Sequence, residues 1–375
     1  MVVPTGVAGL AGCPMLRTAT AEEIRRIAHP IRELLAQCDW SDDGFDLHKS
    51  ALLSVISQLA YCAIGADERE RHNRAKLVPC QIYQRLLLEE AFDLTAVLAA
   101  MDFPNITIFR TRAFVALGIT VRDDLLLFGI RGTQFAYDWR INRDIRLDEI
   151  SPPYSAGSFH AGFYDEARTL SHMIRKFLDS KRRGPKQSGD MMIFVSGHSL
   201  GGAVAAIMAA YGFKTASPEP FREYSPYPRG CYVYASPRVA DSEGRFYVSA
   251  FAVRRELDIV PSLPLRRAGY RDFVDQRTPA GELFIERRKR RVGAFAHWIC
   301  LLAFKRFISN HSLESYKDEI FSALPPSKSR AGGTAFQLRH SPPQASGPLD
   351  VPPSNPPQNA RPSDLPIEDD SFMTS

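Results

Sequence analysis

The chain has 375 residues, 45% of them hydrophobic and 24% charged, with a formal net charge of +5. This profile suits a globular chain able to bury one large core and excludes a low-complexity or collagen-like polymer; so mild a positive charge does not call for a nucleic-acid partner. The six cysteines, at 13, 38, 62, 80, 231 and 300, form no C-x-x-C pair, which argues against zinc or a dense disulfide framework and fits a reducing compartment.

Residues 2–16 are weakly apolar, but Pro4 and Pro14 interrupt them and no basic segment precedes them, so a secretory signal is not expected. A cytoplasmic or peripheral membrane location is the expectation. The minor alternative is lipidation at Cys13, because Leu10-Ala11-Gly12-Cys13 has the form of a lipoprotein cleavage box. Helical spacing of apolar residues predicts helices over 22–38, 47–64 and 81–100. From 107 the texture changes to β-branched and aliphatic residues. Strands are predicted over 107–120 and 125–130, joined by a turn at Arg122-Asp123-Asp124. A helix over 160–180, a strand over 191–195, a helix from Leu200, and strands over 231–235 and 251–254 follow. Strands alternating with helices predict an α/β fold with a largely parallel central sheet covered on both faces. About eleven of the 27 prolines fall after Leu324, so 325–375 is expected to be a disordered Pro/Ser-rich tail. The expected organisation is a leader and helix over 1–40, a folded domain over 41–324 and that tail.

Gly197-His198-Ser199-Leu200-Gly201 sits between the predicted strand and helix, the form of a nucleophile elbow. The turn is so tight that a Cβ at either glycine would strike neighbouring backbone. A serine hydroxyl is a poor nucleophile, so it needs a histidine to take its proton and a carboxylate to fix that histidine's tautomer. Where the order is serine, acid, histidine, only His297, His311 and His340 lie downstream. His340 falls in the tail. His297 is embedded in the apolar run 294–304, whereas His311 opens a polar segment suited to reaching across strand ends, and it is the favoured base. Asp258 directly follows a strand and precedes Pro261, which forbids continued pairing. It is preferred as the acid over Asp241, Glu256, Asp272 and Asp275. His160 and His198 are assigned structural roles, their side chains directed away from the nucleophile.

Several ordered motifs then add up to a resemblance. Ile130-Arg131-Gly132-Thr133, Asp138-Trp139, Phe159-His160-Ala161-Gly162-Phe163, the elbow, Tyr234-Ala235-Ser236-Pro237-Arg238-Val239, Asp258-Ile259-Val260-Pro261, and His311 with Tyr316 together resemble the class 3 (fungal-type) lipase family of the α/β-hydrolase superfamily, over about 47–324. Ala235 departs from the glycine usual there, which is read as a packing matter. The resemblance implies a serine carboxylic-ester hydrolase acting on acylglycerols or related lipid esters through an acyl-enzyme, with no metal or cofactor. It implies an oxyanion hole from Thr133 and Leu200, and the unpaired amide at a helix start supports Leu200 in that role. The alternatives are a phospholipase A1 or acyltransferase using the same triad, or a non-catalytic lipase-like interaction protein. By resemblance 134–146 would be an amphipathic lid. Arg287-Arg288-Lys289-Arg290-Arg291, ahead of the apolar run 292–304, suggests a peripheral membrane or lipid-droplet surface as a partner, and no nucleic acid.

Overall fold

The computed structural model describes residues 31–62, 105–111, 113–132, 146–149, 157–181, 191–211, 228–285 and 310–325, all within the unit Met1–Pro325. Outside the described residues lie the leader with Cys13, the helix expected over 81–100, Thr133 and 134–145, the basic run 287–291, His297, and the tail from 326.

Residues 31–37 are helical, and the first long helix is α1 (Leu47–Cys62). Three strands follow: β1 (Asn105–Arg110), β2 (Val115–Arg122) and β3 (Leu125–Ile130). The single strand expected over 107–120 is therefore two. Thr111 explains the break, since its Oγ1 accepts the amides of Ala113 (3.3 Å) and Phe114 (3.0 Å) and closes a turn that competes with extended pairing. The expected turn at 122–124 joins β2 and β3 as an antiparallel hairpin. A short ribbon, β4 (Leu147–Glu149) with β5 (Ser158–His160), precedes α2 (Ala161–Lys181). Then come β6 (Met192–His198), α3 (Leu200–Tyr211), β7 (Gly230–Tyr234), β8 (Phe251–Val253), β9 (Asp275–Arg277) and α4 (Leu313–Ala323).

The seven-stranded sheet runs β1-β2-β3-β6-β7-β8-β9. Its first two pairings are antiparallel and the rest, from β3·β6 to β8·β9, are parallel. Side-chain alternation divides the core. Leu126, Phe128 and Ile130 of β3, with Ile193 and Val195 of β6, point into the cluster that includes Leu170, Ile174, Val204 and Ile207 of α2 and α3. Leu125 and Leu127, with Phe194, Tyr232 and Tyr234, point the other way, into the cluster with Leu52, Ile56 and Leu59 of α1 and Tyr316 and Ile320 of α4. The result is an α/β three-layer arrangement with helices on both faces. Each fully buried aliphatic or aromatic side chain in these layers is worth about 1.5–3 kcal/mol.

Close approach fixes how the layers meet. A Cβ on Gly129 of β3 would press into the backbone carbonyl of Ile56, so α1 lies directly on the sheet there. Ser57 of α1 donates to Ser196 Oγ at 2.9 Å, and Ser196 in turn lies 3.1 Å from the Leu53 carbonyl, pinning α1 to the central strand.

Candidate active site

At the carboxyl end of β6 the chain turns into α3 through Ser199, whose φ of 56° lies in the left-handed region. A non-glycine residue held there carries about 1–3 kcal/mol of strain, which surrounding bonds must offset. Here the Ser199 amide donates to the Tyr234 carbonyl at 2.9 Å, and its own carbonyl accepts from Gly202 at 2.9 Å. The flanking glycines are needed as expected. A Cβ at Gly197 would overlap the Gly201 backbone, and one at Gly201 would overlap the Arg131 carbonyl at the end of β3.

Asp258, Ser199 and His311 come from three distant segments and meet here. His311 Nε2 lies 2.8 Å from Ser199 Oγ, and His311 Nδ1 lies 3.0 Å from Asp258 Oδ2. A carboxylate can only accept, so Nδ1 carries the proton and Nε2 is left as the acceptor for the serine hydroxyl. His311 stands in a short helical stretch, 310–311, that leads through the N-cap residue Ser312 into α4, rather than in an open loop.

Asp258 is buried at 2% exposure and fully hydrogen-bonded. Its Oδ1 accepts the Val260 amide (3.0 Å); its Oδ2 accepts Tyr316 Oη–H (2.8 Å) as well as the histidine. Burial alone would raise its pKa, but His311 and these donors outweigh burial and hold the carboxyl below its ordinary 3.8. Burial and the neighbouring carboxylate push the Tyr316 phenol well above its usual value, so it stays a donor. The same phenol oxygen accepts the Arg255 amide at 3.0 Å.

Three of the four other carboxylates weighed as the acid, Asp241, Asp272 and Asp275, have structural duties. Asp241 caps the amides of Ser158 (2.9 Å) and Gly244 (2.7 Å), and Asp275 pairs with Arg277 at 2.6 Å. Asp272 binds Arg266 and, at 2.7 Å, Arg238. The buried Arg238 guanidinium also donates to the carbonyls of Ser262 and, at 2.8 Å, Pro264, so its pair with Asp272 braces the segment that follows Asp258.

Two sequence expectations change. Ala235 adopts φ 53°, so glycine is favoured at that place for conformational reasons and not only for packing. His198 is structural, but it is not turned away from the chemistry: its ring centroid is 5.0 Å from that of His311, and its Nε2 lies 2.8 Å from the His311 carbonyl oxygen. Its Nδ1 is 2.8 Å from Tyr61 Oη, on the last turn of α1. Sequence reasoning did not single out Tyr61, and no local signal marks it, because its partners lie 71 and 137 positions away.

Leu200 opens α3, where an amide has no acceptor one turn earlier in the helix, and it adjoins Ser199. A serine, an imidazole and a buried carboxylate in line at a strand–helix elbow, at the carboxyl edge of a parallel sheet, form the arrangement of the α/β-hydrolase fold. Residues 127–268 match the family described as lipase (class 3). The chain is 30% identical over 172 residues to a lipase of Rhizomucor miehei, covering 44% of this chain and 43% of that protein. It is 27% identical over 185 residues to secreted mono- and diacylglycerol lipase A of Penicillium cyclopium, covering 47% of this chain and 54% of that one. The chain thus spans about half the length of these curated relatives. Among solved structures, Lip2 lipase of Yarrowia lipolytica aligns with a TM-score of 0.39 at 18% identity, over 60% of this chain and 77% of that one.

Proposed function

We propose that this protein is a serine carboxylic-ester hydrolase that cleaves acylglycerols or related lipid esters through an acyl-enzyme. The observation that carries this reading is the unbroken chain Ser199 Oγ, His311, Asp258, with both links at hydrogen-bond distance. Ser199 Oγ attacks the ester carbonyl while its proton passes to His311 Nε2. Asp258, ionised and buried, stabilises the imidazolium that forms. The Leu200 amide receives the developing oxyanion, with Thr133 as the second donor by family resemblance. His311 then returns the proton to the departing alcohol, and water, deprotonated by the same imidazole, releases the fatty acid.

An acylated substrate is supported by the apolar side chains left in water beside the acid. Leu257 is 55% exposed, Leu263 41%, and Ile259 and Leu265 40% each, all within seven positions of Asp258. The relatives named as lipases point to the same substrate class.

The test is release of fatty acid from triacylglycerol, monoacylglycerol and phospholipid, side by side with p-nitrophenyl esters. Ser199→Ala should lower turnover about 10⁶-fold. Wild-type rates in that variant would refute the assignment, and release from phospholipid alone would move it to a phospholipase.

A further inference from the structure

We propose that Tyr61 and His198 are positioning residues that fix the backbone of the general base, and with it the in-line placement of the His311 imidazole on Ser199. The inference rests on the esterase reading above and concerns how that site is held.

The proton assignments along this path are forced. The His311 carbonyl can only accept, so His198 Nε2, 2.8 Å away, carries a hydrogen. In a neutral ring Nδ1 is then a lone pair, and Tyr61 Oη at 2.8 Å must donate to it. That leaves the phenol oxygen to accept the Gly132 amide at 2.9 Å. The path therefore runs in one direction, from the Gly132 amide through Tyr61 and His198 to the His311 carbonyl. No member can reverse without leaving a buried group unsatisfied, at a cost comparable to a lost hydrogen bond.

Its three anchor points are the moving parts of the proposed chemistry. Gly132 lies two residues beyond the end of β3 and one before Thr133, His198 precedes the nucleophile, and His311 is the base. Gly132 must be glycine for the approach, because a Cβ there would overlap Tyr61 Oη. The base is held from its other side as well. Arg255, three residues before the acid, donates to the Asn310 carbonyl at 2.9 Å, so consecutive carbonyls, 310 and 311, are tied to the acid's segment and to the nucleophile's segment. The helix that carries Tyr61 is itself bolted to the helix that follows His311. Gln58 donates to Glu314 at 2.6 Å and accepts from Lys317 at 2.8 Å.

A second imidazole so close to the base must stay uncharged, or it would oppose the imidazolium formed in the reaction. Burial does this, pushing His198 down to about 3, with repulsion from His311 adding to the effect.

The experiment compares Tyr61→Phe, His198→Leu and His198→Gln with wild type on a soluble short-chain p-nitrophenyl ester, with rates expressed per serine titrated by a fluorophosphonate. Tyr61→Phe is isosteric at a half-buried position and is the variant expected to keep its fold. Misplacement of the base predicts kcat per titrated serine lower by about tenfold in Tyr61→Phe and about a hundredfold in His198→Leu. KM should stay within about twofold, since no substrate contact is removed. His198→Gln, whose amide N–H can replace Nε2–H toward the His311 carbonyl, should recover kcat to within about fivefold of wild type. A merely structural role would lower thermal midpoint and titre while leaving kcat per titrated serine at the wild-type value in Tyr61→Phe, and that result overturns the proposal. So does a His198→Gln variant no faster than His198→Leu. A wild-type chain that takes no fluorophosphonate at Ser199 would instead sink the esterase reading itself.

Discussion

Replacing His198 by glutamine should flatten the acid side of the stability curve. The His198 imidazole has a folded pKa of about 3 against an ordinary 6.5, first because it is buried and then because His311 lies beside it. Between those two values the unfolded chain binds a proton at this residue and the folded chain does not, so acid favours unfolding. Each pH unit of that window is worth about 1.4 kcal/mol, so acidification from about pH 6.5 to about pH 4 should cost the wild-type chain about 3 kcal/mol through this one ring. Asp258 does not blur the measurement. Its carboxyl is held below 3.8, so its stabilising contribution is present above that value and is lost only as pH falls through its folded pKa. Urea unfolding followed by tryptophan fluorescence at several pH values in this window gives the two slopes. A loss of about 3 kcal/mol is a large share of the roughly 5–15 kcal/mol that holds a domain together. If wild type and His198→Gln lost stability in parallel down to about pH 4, the neutral, buried state assigned to His198 would be wrong.

Tyr316→Phe removes the phenol shared by Asp258 and the Arg255 amide, one bond to a charge and one to a buried donor, and should cost about 2–4 kcal/mol by urea unfolding near neutral pH. Because the variant's Asp258 loses a donor, that gap should narrow once pH drops below about 3.8; a constant gap would exclude the link between phenol and carboxylate. Gly201→Ala drives a methyl into the Arg131 carbonyl and should cost about 1–3 kcal/mol of stability and about a hundredfold in turnover, unless esterase assays and melting curves show the methyl accommodated at no cost. Replacing the exposed Leu257 and Leu263 by serine should weaken binding to phospholipid vesicles while leaving turnover of a soluble ester within about threefold; unchanged vesicle binding would remove this surface from lipid contact.

The central features could be read from the chain because they are local. Two glycines around a serine between a five-residue apolar run and a small-residue helix specify the elbow, where Ser199 adopts a φ of 56° and both glycines closely approach neighbouring backbone. Asp258 was legible from a strand ending before proline, and His311 by order and by exclusion of its rivals. Other elements left no comparable mark. The three-residue strand β9 is too short to show a period, and the break between β1 and β2 hinges on one threonine hydroxyl amid a run that otherwise reads as continuous strand. Tyr61 looks like any polar-tipped helix residue until the fold carries it next to a glycine and a histidine far along the chain. The role of His198 was half legible: its neighbourhood to Ser199 is sequential, but its bond to the His311 carbonyl exists only once 113 positions have been closed.

The match to the family model spans residues 127–268, a stretch that contains Ser199 and Asp258 but ends before the imidazole between them and begins after the tyrosine behind it. An excised polypeptide with those limits would own a nucleophile and an acid that have no means of exchanging a proton. Conversely, two separately expressed pieces, cut between α1 and β1, would leave Tyr61 on one and Ser199, Asp258 and His311 on the other, so the rate of the proposed ester cleavage would report their docking.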